Sequence, residues 1–309
     1  MNTTRRHFLG QLGTLATLPL LPAIDLLDAP KPLFFKISLA QWSLHRALLK
    51  KETTTLDFPT RARRDFGITA VEYVDQFVKN EPAYLKELLK RSQDEGVVNH
   101  LLMIDTAGNL VDTDGAKRAD AITRHYAWAE AAKFLGCKTI RVNLQSKDSA
   151  DEVRKRAIES MGRLAEKISP LGINVVAENH GGHSSDGSWM ASIAKAVGKP
   201  NCGLLPDFGN FCQSHDWGST EKPCEKIYDR YKGVSEMLPY AKGGVSAKSY
   251  RFNAQGQETT IDYARMLKLV KDAGFKGYIG VEFEGEGMAE EEGIRRTKAL
   301  LESVGSKLV

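Results

Sequence analysis

Eight short, mostly apolar runs recur along the chain, separated by longer stretches in which apolar residues return every three or four positions. The runs are Phe35–Trp42, Ala70–Val74, Val97–Ile104, Thr139–Leu144, Ile173–Glu178, Gly203–Asp207, Gly244–Lys248 and Tyr278–Phe283. Each has the length of a strand, and continuous apolarity marks strands buried on both faces of a parallel sheet. Helical spacing is clearest in Glu81–Glu95, Ala116–Leu135, Ala150–Ser169, Thr260–Ala273 and Met288–Val304. Gly96, Gly136, Gly172 and Gly274 follow helical stretches shortly before a strand, where glycine supplies the left-handed conformation that ends a helix. Eight strand–helix units at roughly 30–40 residues apiece predict an α/β fold of the (β/α)8 TIM-barrel type. A doubly wound open sheet would more often carry a glycine-rich fingerprint after its first strand, and none is present. No shift of composition or low-complexity linker divides the chain, so residues 31–309 read as one domain.

The first 30 residues follow a different rule. Thr4-Arg5-Arg6-His7-Phe8-Leu9 is a twin-arginine pattern, followed by a weakly apolar stretch broken by Gly10, Gly13, Pro19 and Pro22. Such a stretch is too interrupted for a membrane span. It resembles the signal of the twin-arginine route, which exports folded proteins. The expectation is a periplasmic or otherwise exported protein, partnered by that export machinery, with no stable membrane anchor. In that setting a bridge between Cys212 and Cys224 across one loop is open to the chain. Cys137 and Cys202 sit at strand starts and read as small buried apolar residues. The net charge of +4 over 309 residues, with no long basic block, speaks against nucleic acid as a partner.

Chemistry concentrates where strands end. Glu178 closes Ile-Asn-Val-Val-Ala-Glu, Asp207 closes Cys-Gly-Leu-Leu-Pro-Asp, and Glu282 comes near the end of Tyr-Ile-Gly-Val-Glu-Phe. Parallel α/β folds gather strand ends at one face, and hard carboxylate oxygens converging there suit a divalent cation. One acid alone would more simply cap a helix or pair with a local base; three on nearby strand ends point to a site. Lys248 ends strand seven, placed to polarise a sugar oxygen or to pair with Glu178 or Glu282. Around them, His45 follows strand one, Glu72 ends strand two, Asn143 ends strand four, and His180, Asn210 and Arg251 lie just past strands five, six and seven. These are the candidate substrate contacts. Long loops at Gly209–Pro223 and Ser249–Thr259 would shape the pocket.

The succession Ala-Glu-Asn-His, Pro-Asp-Phe-Gly-Asn and Gly-Val-Glu-Phe-Glu resembles the xylose-isomerase-like TIM barrels, which include sugar-phosphate isomerases and epimerases, ketose 3-epimerases, inosose dehydratases and the endonuclease IV group. The resemblance covers the chain after the signal segment. It implies a metal held by Glu, Asp, His and Glu from strands five to eight, and Glu178, Asp207 and Glu282 match three of these. The strand-seven histidine is replaced by Ser246, two residues before Lys248. Either three protein ligands and more water hold the ion, or another group substitutes, or the metal is lost. The implied cofactor is one divalent ion: Mn2+, Mg2+, Co2+ or Zn2+.

These readings predict a metal-dependent isomerase or epimerase for a carbohydrate, in which Glu178 and Glu282 move a proton next to a carbonyl through an enediolate and Lys248 assists by polarising a sugar oxygen or stabilising the enolate. A 3-keto-glycoside offers the alternative of β-elimination by the same abstraction, which would make the chain a keto-glycoside lyase. A non-catalytic sugar-binding barrel is the rival of another class, supported by the missing histidine. An endonuclease reading would need more histidine ligands and a basic surface. Nothing in the sequence sets the oligomeric state.

Overall fold

The computed structural model describes residues 32–215 and 217–309. The twin-arginine segment, residues 1–30, lies outside them. Among the described residues, no helix is long and apolar enough to cross a membrane.

Eight parallel strands form the barrel: β1 Lys36–Ala40, β2 Ala70–Val74, β3 Val98–Met103, β4 Thr139–Val142, β5 Asn174–Glu178, β6 Cys202–Leu205, β7 Val245–Ser249 and β8 Tyr278–Phe283. They pair in the order β6-β5-β4-β3-β2-β1-β8-β7. The curled sheet closes between β6 and β7 through two parallel bridges, Leu204 with Ala241 and Asp207 with Ser246. The (β/α)8 TIM-barrel expectation is met, and all eight apolar runs become strands.

The helices are α1 His45–Leu49, α2 Phe58–Phe66, α3 Pro82–Asp94, α4 Gly115–Leu135, α5 Ala150–Ile168, α6 Gly187–Val197, α7 Arg230–Met237, α8 Tyr263–Asp272 and α9 Glu290–Gly305. The five segments of helical spacing correspond to α3, α4, α5, α8 and α9. The four glycines expected as stops all have positive φ, from 63° at Gly96 to 90° at Gly136. Asp114, Asp186, Asp229 and Asp262 cap α4, α6, α7 and α8 by accepting from backbone N–H groups of the first turn.

Strand side chains alternate between two cores. Val71, Tyr73, Ile140, Val142, Val175, Ala177, Val245, Ala247, Ile279 and Val281 pack outward into the large layer under the helices. Ala40, Val74, Leu101, Met103, Val176 and Leu205 form a smaller inner cluster. The period of two then places Ser38, Glu72, Arg141, Glu178, Asp207, Ser246, Lys248 and Glu282 on the inward parity. One irregularity adds Asp105. Asn99 pairs with Val71 and Leu101 with Glu72, so His100 is an extra residue in β3. Asn99 faces the helices, bonded to Ser92 and to the carbonyl of Leu135. Past the bulge the parity is shifted by one, and Leu101, Met103 and then Asp105 point inside.

Candidate active site: a carboxylate cluster at the barrel mouth

Glu178 is the last residue of β5, Asp207 lies two residues past β6, and Glu282 is next to last in β8. One oxygen from each comes within 4.8 Å of the others. All three are buried. The β6–β7 closure is what sets Asp207 beside Ser246: Ser246 N donates to the Pro206 carbonyl at 2.9 Å and Phe208 N to the Ser246 carbonyl at 3.1 Å. Asp207 Oδ1 accepts from the backbone of Gly209 and Asn210, which fixes its rotamer and aims Oδ2 inward. Asn179 holds the same turn, accepting from Asp207 N at 2.7 Å.

Two cationic side chains penetrate the cluster. Lys248 Nζ stands 2.8 Å from Glu284, 3.2 Å from Glu282 and 3.8 Å from Asp207. Burial alone would lower the Lys248 pKa, but Glu282, Glu284 and Asp207 outweigh it, so the ammonium stays charged. Arg141 Nε lies 2.8 Å from Glu178 Oε2, and its Nη1 bonds Asp105. That Nε and Glu178 Oε2 are close but misaligned, and neither atom has a hydrogen-bond partner. Asn143 Nδ2 adds a 2.7 Å bond to Asp105.

The acids are driven apart in proton affinity. Burial pushes Glu178 well above the usual carboxylate range despite Arg141, and raises Asp207 to about 6. Burial acts on Glu282 too, but Lys248, the Ser246 hydrogen bond and Arg141 overcome it and hold Glu282 below its ordinary value. A buried pair separated in this way supplies one proton holder and one proton acceptor.

Ser246, standing in the histidine's place, touches two of the acids. Its Oγ is 2.6 Å from Asp207 Oδ2 and 2.5 Å from Glu282 Oε2. A hydroxyl has one proton to donate. The other short contact calls for a proton on a carboxyl or a cation beside it. The donor set therefore fits a divalent ion: hard oxygens, excess negative charge and an unpartnered Glu178 Oε2. Glu178, Asp207 and Glu282 would hold it.

The other expected contacts separate. His45 and His180 line a cavity of about 460 Å³ that also meets Glu282. His180 is half-buried, its Nδ1 has no hydrogen-bond partner, and burial lowers its pKa to about 3, so it is a neutral imidazole. Asn210 is placed by its backbone, and its Nδ2 reaches Glu178 at 3.5 Å. Asn143 lines an adjoining cavity with Asp105. Arg251 is drawn aside to Glu221, 3.7 Å away, and does not line the cavity with Glu282. His183 turns to the Asp148 carbonyl.

Glu72 sits in the middle of β2 rather than at its end, accepting a 2.5 Å bond from Ser38. Burial and the charge of Glu282 raise it to about 7. An acid whose folded pKa exceeds its unfolded one costs nothing below the unfolded value, and destabilises increasingly as pH climbs from there to the folded value. Glu72→Gln should therefore gain on wild type by of order 2 kcal/mol between pH 4.5 and 7.5 in urea unfolding. An equal difference at both pH values would contradict this account of Glu72.

Arg141, Asp105, Glu284 and Trp217 were not singled out from the sequence. Asp105 follows an apolar run, the same signal that marks Glu178. Glu284 is two residues beyond Glu282, on the same face. Trp217 lies in the long loop after β6, which Cys212 and Cys224 staple with a disulfide. Cys137 and Cys202 are free and buried.

Residues 61–304 match the model of the xylose isomerase-like TIM barrel, and the chain belongs to that family. Solved structures share the fold at low identity. The IOLI protein, crystallised with a zinc atom, has a TM-score of 0.67 at 16% identity, over 89% of this chain and 99% of that one. The 3-keto-D-glucoside 4-epimerase YcjR from E. coli has 0.65 at 14%, over 87% and 99%. A D-psicose 3-epimerase studied in the presence of D-fructose has 0.63 at 15%, over 88% and 100%. No curated protein sequence matches significantly.

Proposed function

We propose that the chain is a divalent-cation-dependent carbohydrate isomerase or epimerase that moves a proton next to a carbonyl. The observation that carries this reading is the Glu178–Asp207–Glu282 cluster, buried and opening into a cavity through Glu282. Family membership supports it, and the zinc-bound and sugar-epimerase neighbours agree with it. A divalent ion bound there supplies Lewis acidity to a carbonyl and its neighbouring hydroxyl.

The side chains divide the remaining work. Glu282, held ionised by Lys248 and Ser246, takes the carbon-bound proton. Glu178, the acid across the cluster, returns a proton to the resulting enediolate. Arg141 and Lys248 stabilise negative charge as it develops on substrate oxygens. His180, as a neutral imidazole, and His45 offer hydrogen bonds to hydroxyls across the cavity. Return of the proton to another carbon gives isomerisation, and return to the opposite face of the same carbon gives epimerisation.

Glu282 and Trp217 line the same cavity, whose volume of about 460 Å³ is more than a single sugar ring needs. That room favours elimination as the second reading. With a 3-keto-glycoside, Glu282 would take the C2 proton, the C1–oxygen bond would break as the C1–C2 double bond forms, and Glu178 would protonate the departing oxygen.

Incubation with free sugars and with 3-keto-glycosides, followed by product analysis with and without chelator, tests the assignment. Chelator-sensitive conversion of either class is expected. Conversion that persists unchanged in chelator, or no conversion by metal-loaded protein across both classes, would rule it out.

We further propose export by the twin-arginine route, on the strength of Arg5-Arg6 and the following residues. Replacing Arg5 and Arg6 together by Lys should retain the protein in the cytoplasm. Undiminished delivery of that variant would exclude the route.

A further inference from the structure

The charge and the walls of the cavity restrict its ligand more narrowly than the chemistry does. Asp105, Glu221, Glu282, Glu284 and Glu286 line it, against two cationic side chains, Arg141 and Lys222. Both cations are already engaged. Arg141 is held by Asp105 and Glu178 with 4% of its side chain exposed, and Lys222 pairs with Glu286 at 3.1 Å on the rim. Arg251, the nearby candidate for an anion, pairs with Glu221. A phosphoryl group entering this space would meet five acids and two cations that are already paired.

The far wall is apolar and built. Trp217 is 58% exposed, lines the same cavity, and packs edge-on to His180 with centroids 5.2 Å apart. Its loop is fixed in three ways. The Cys212–Cys224 disulfide closes it, Cys212 N donates to the Gly218 carbonyl at 2.9 Å, and Gly182 N donates to the His215 carbonyl at 3.3 Å. Gly218, at φ +71°, is seated so closely that a Cβ would come 2.6 Å from Gly181 N. An exposed indole lining a cavity is a surface for the apolar face of a sugar ring.

We propose that the cavity takes a neutral glycoside and rejects phosphorylated sugars, with the ring beyond the reacting one resting on Trp217. Trp217 is then a specificity-determining residue, set in place by the disulfide. The substrate class follows from the acidic lining, and the second ring from the volume of about 460 Å³ that Glu282 and Trp217 both line. This rests on the carbohydrate reading above, and adds which carbohydrates.

Binding without turnover separates the two. In the Mg2+-loaded Glu282→Gln variant, which also removes one of the acids, calorimetry is run with a panel of neutral disaccharides and with the 6-phosphates of their component monosaccharides. The tightest disaccharide should bind about tenfold or more tightly than any of the phosphates at low ionic strength. Adding Trp217→Ala should weaken that disaccharide about fivefold or more while leaving the methyl glycoside of its reacting unit within about twofold. A phosphorylated sugar that binds as tightly, an unaffected disaccharide in the Trp217→Ala variant, or no binding by any neutral sugar would overturn the proposal. A chain that binds neutral glycosides but converts none defeats the proton-transfer reading and leaves this one standing. One that converts a phosphorylated sugar does the reverse.

Discussion

Glu282→Gln is expected to lower turnover by about a hundredfold or more, and saturating metal should not restore it. The substitution keeps the size of the side chain and one oxygen donor for the ion, but removes the basic oxygen. Glu282 is the acid of the cluster with the lowered proton affinity, because Lys248 at 3.2 Å and Ser246 at 2.5 Å both stabilise its charge. If its role were only to hold the ion, excess metal would recover much of the lost rate. The measurement is kcat against metal concentration for both proteins. Recovery to within a few-fold of wild type would assign Glu282 to metal binding alone.

Arg141→Leu should cost about 3–5 kcal/mol of stability at neutral pH, the range for breaking a buried ion pair by removing one partner. The guanidinium stands between Asp105 and Glu178, within the interior of the barrel. Without it both acids are left among apolar strands and the remaining carboxylates. The sign with pH follows from Asp105. Arg141, against the opposing effect of burial, holds the Asp105 pKa below its ordinary value. That stabilisation is present above the unfolded pKa and lost as pH falls through the folded one. The deficit of Arg141→Leu should therefore be full at pH 7 and reduced at pH 3, below the ordinary Asp value of 3.8. Denaturant unfolding in chelator at the two pH values reads it, and adding Asp105→Asn and Glu178→Gln to the variant should recover most of the loss. A deficit below about 1 kcal/mol at neutral pH would place the pair among weak ones.

Much of this site is a consequence of strand parity, and parity is legible in sequence where strands are regular. Glu178, Lys248 and Glu282 lie on the inward-facing side of apolar runs that the structure turns into β5, β7 and β8. Asp105 carried the same signal but lay beyond the expected strand Val97–Ile104. The bulge at His100 is what turns it inward, and no local pattern announces a bulge. Glu72 was expected at the mouth but lies two residues before the end of β2, within a strand whose extent the sequence had already marked. The helices not singled out, α1, α2, α6 and α7, are short and owe their existence to packing on the barrel more than to their own periodicity. Trp217 reaches the cavity through a loop whose path depends on a disulfide and on the close seat of Gly218, contacts between residues far apart in chain order or set by backbone geometry. Ser246 was legible as a departure, but its double contact with Asp207 and Glu282 required the closure of β6 on β7.

The account stands on proton transfer at carbon, and heavy water reads that event directly. The metal-loaded protein is incubated in deuterium oxide with the sugar or keto-glycoside it converts, and substrate and product are recovered for proton NMR. Transfer through Glu282 and Glu178 predicts deuterium at the carbon next to the carbonyl, with the exchange absent in Glu282→Gln. Product formed with full retention of the original hydrogen at that position would contradict the central claim and point to hydride transfer.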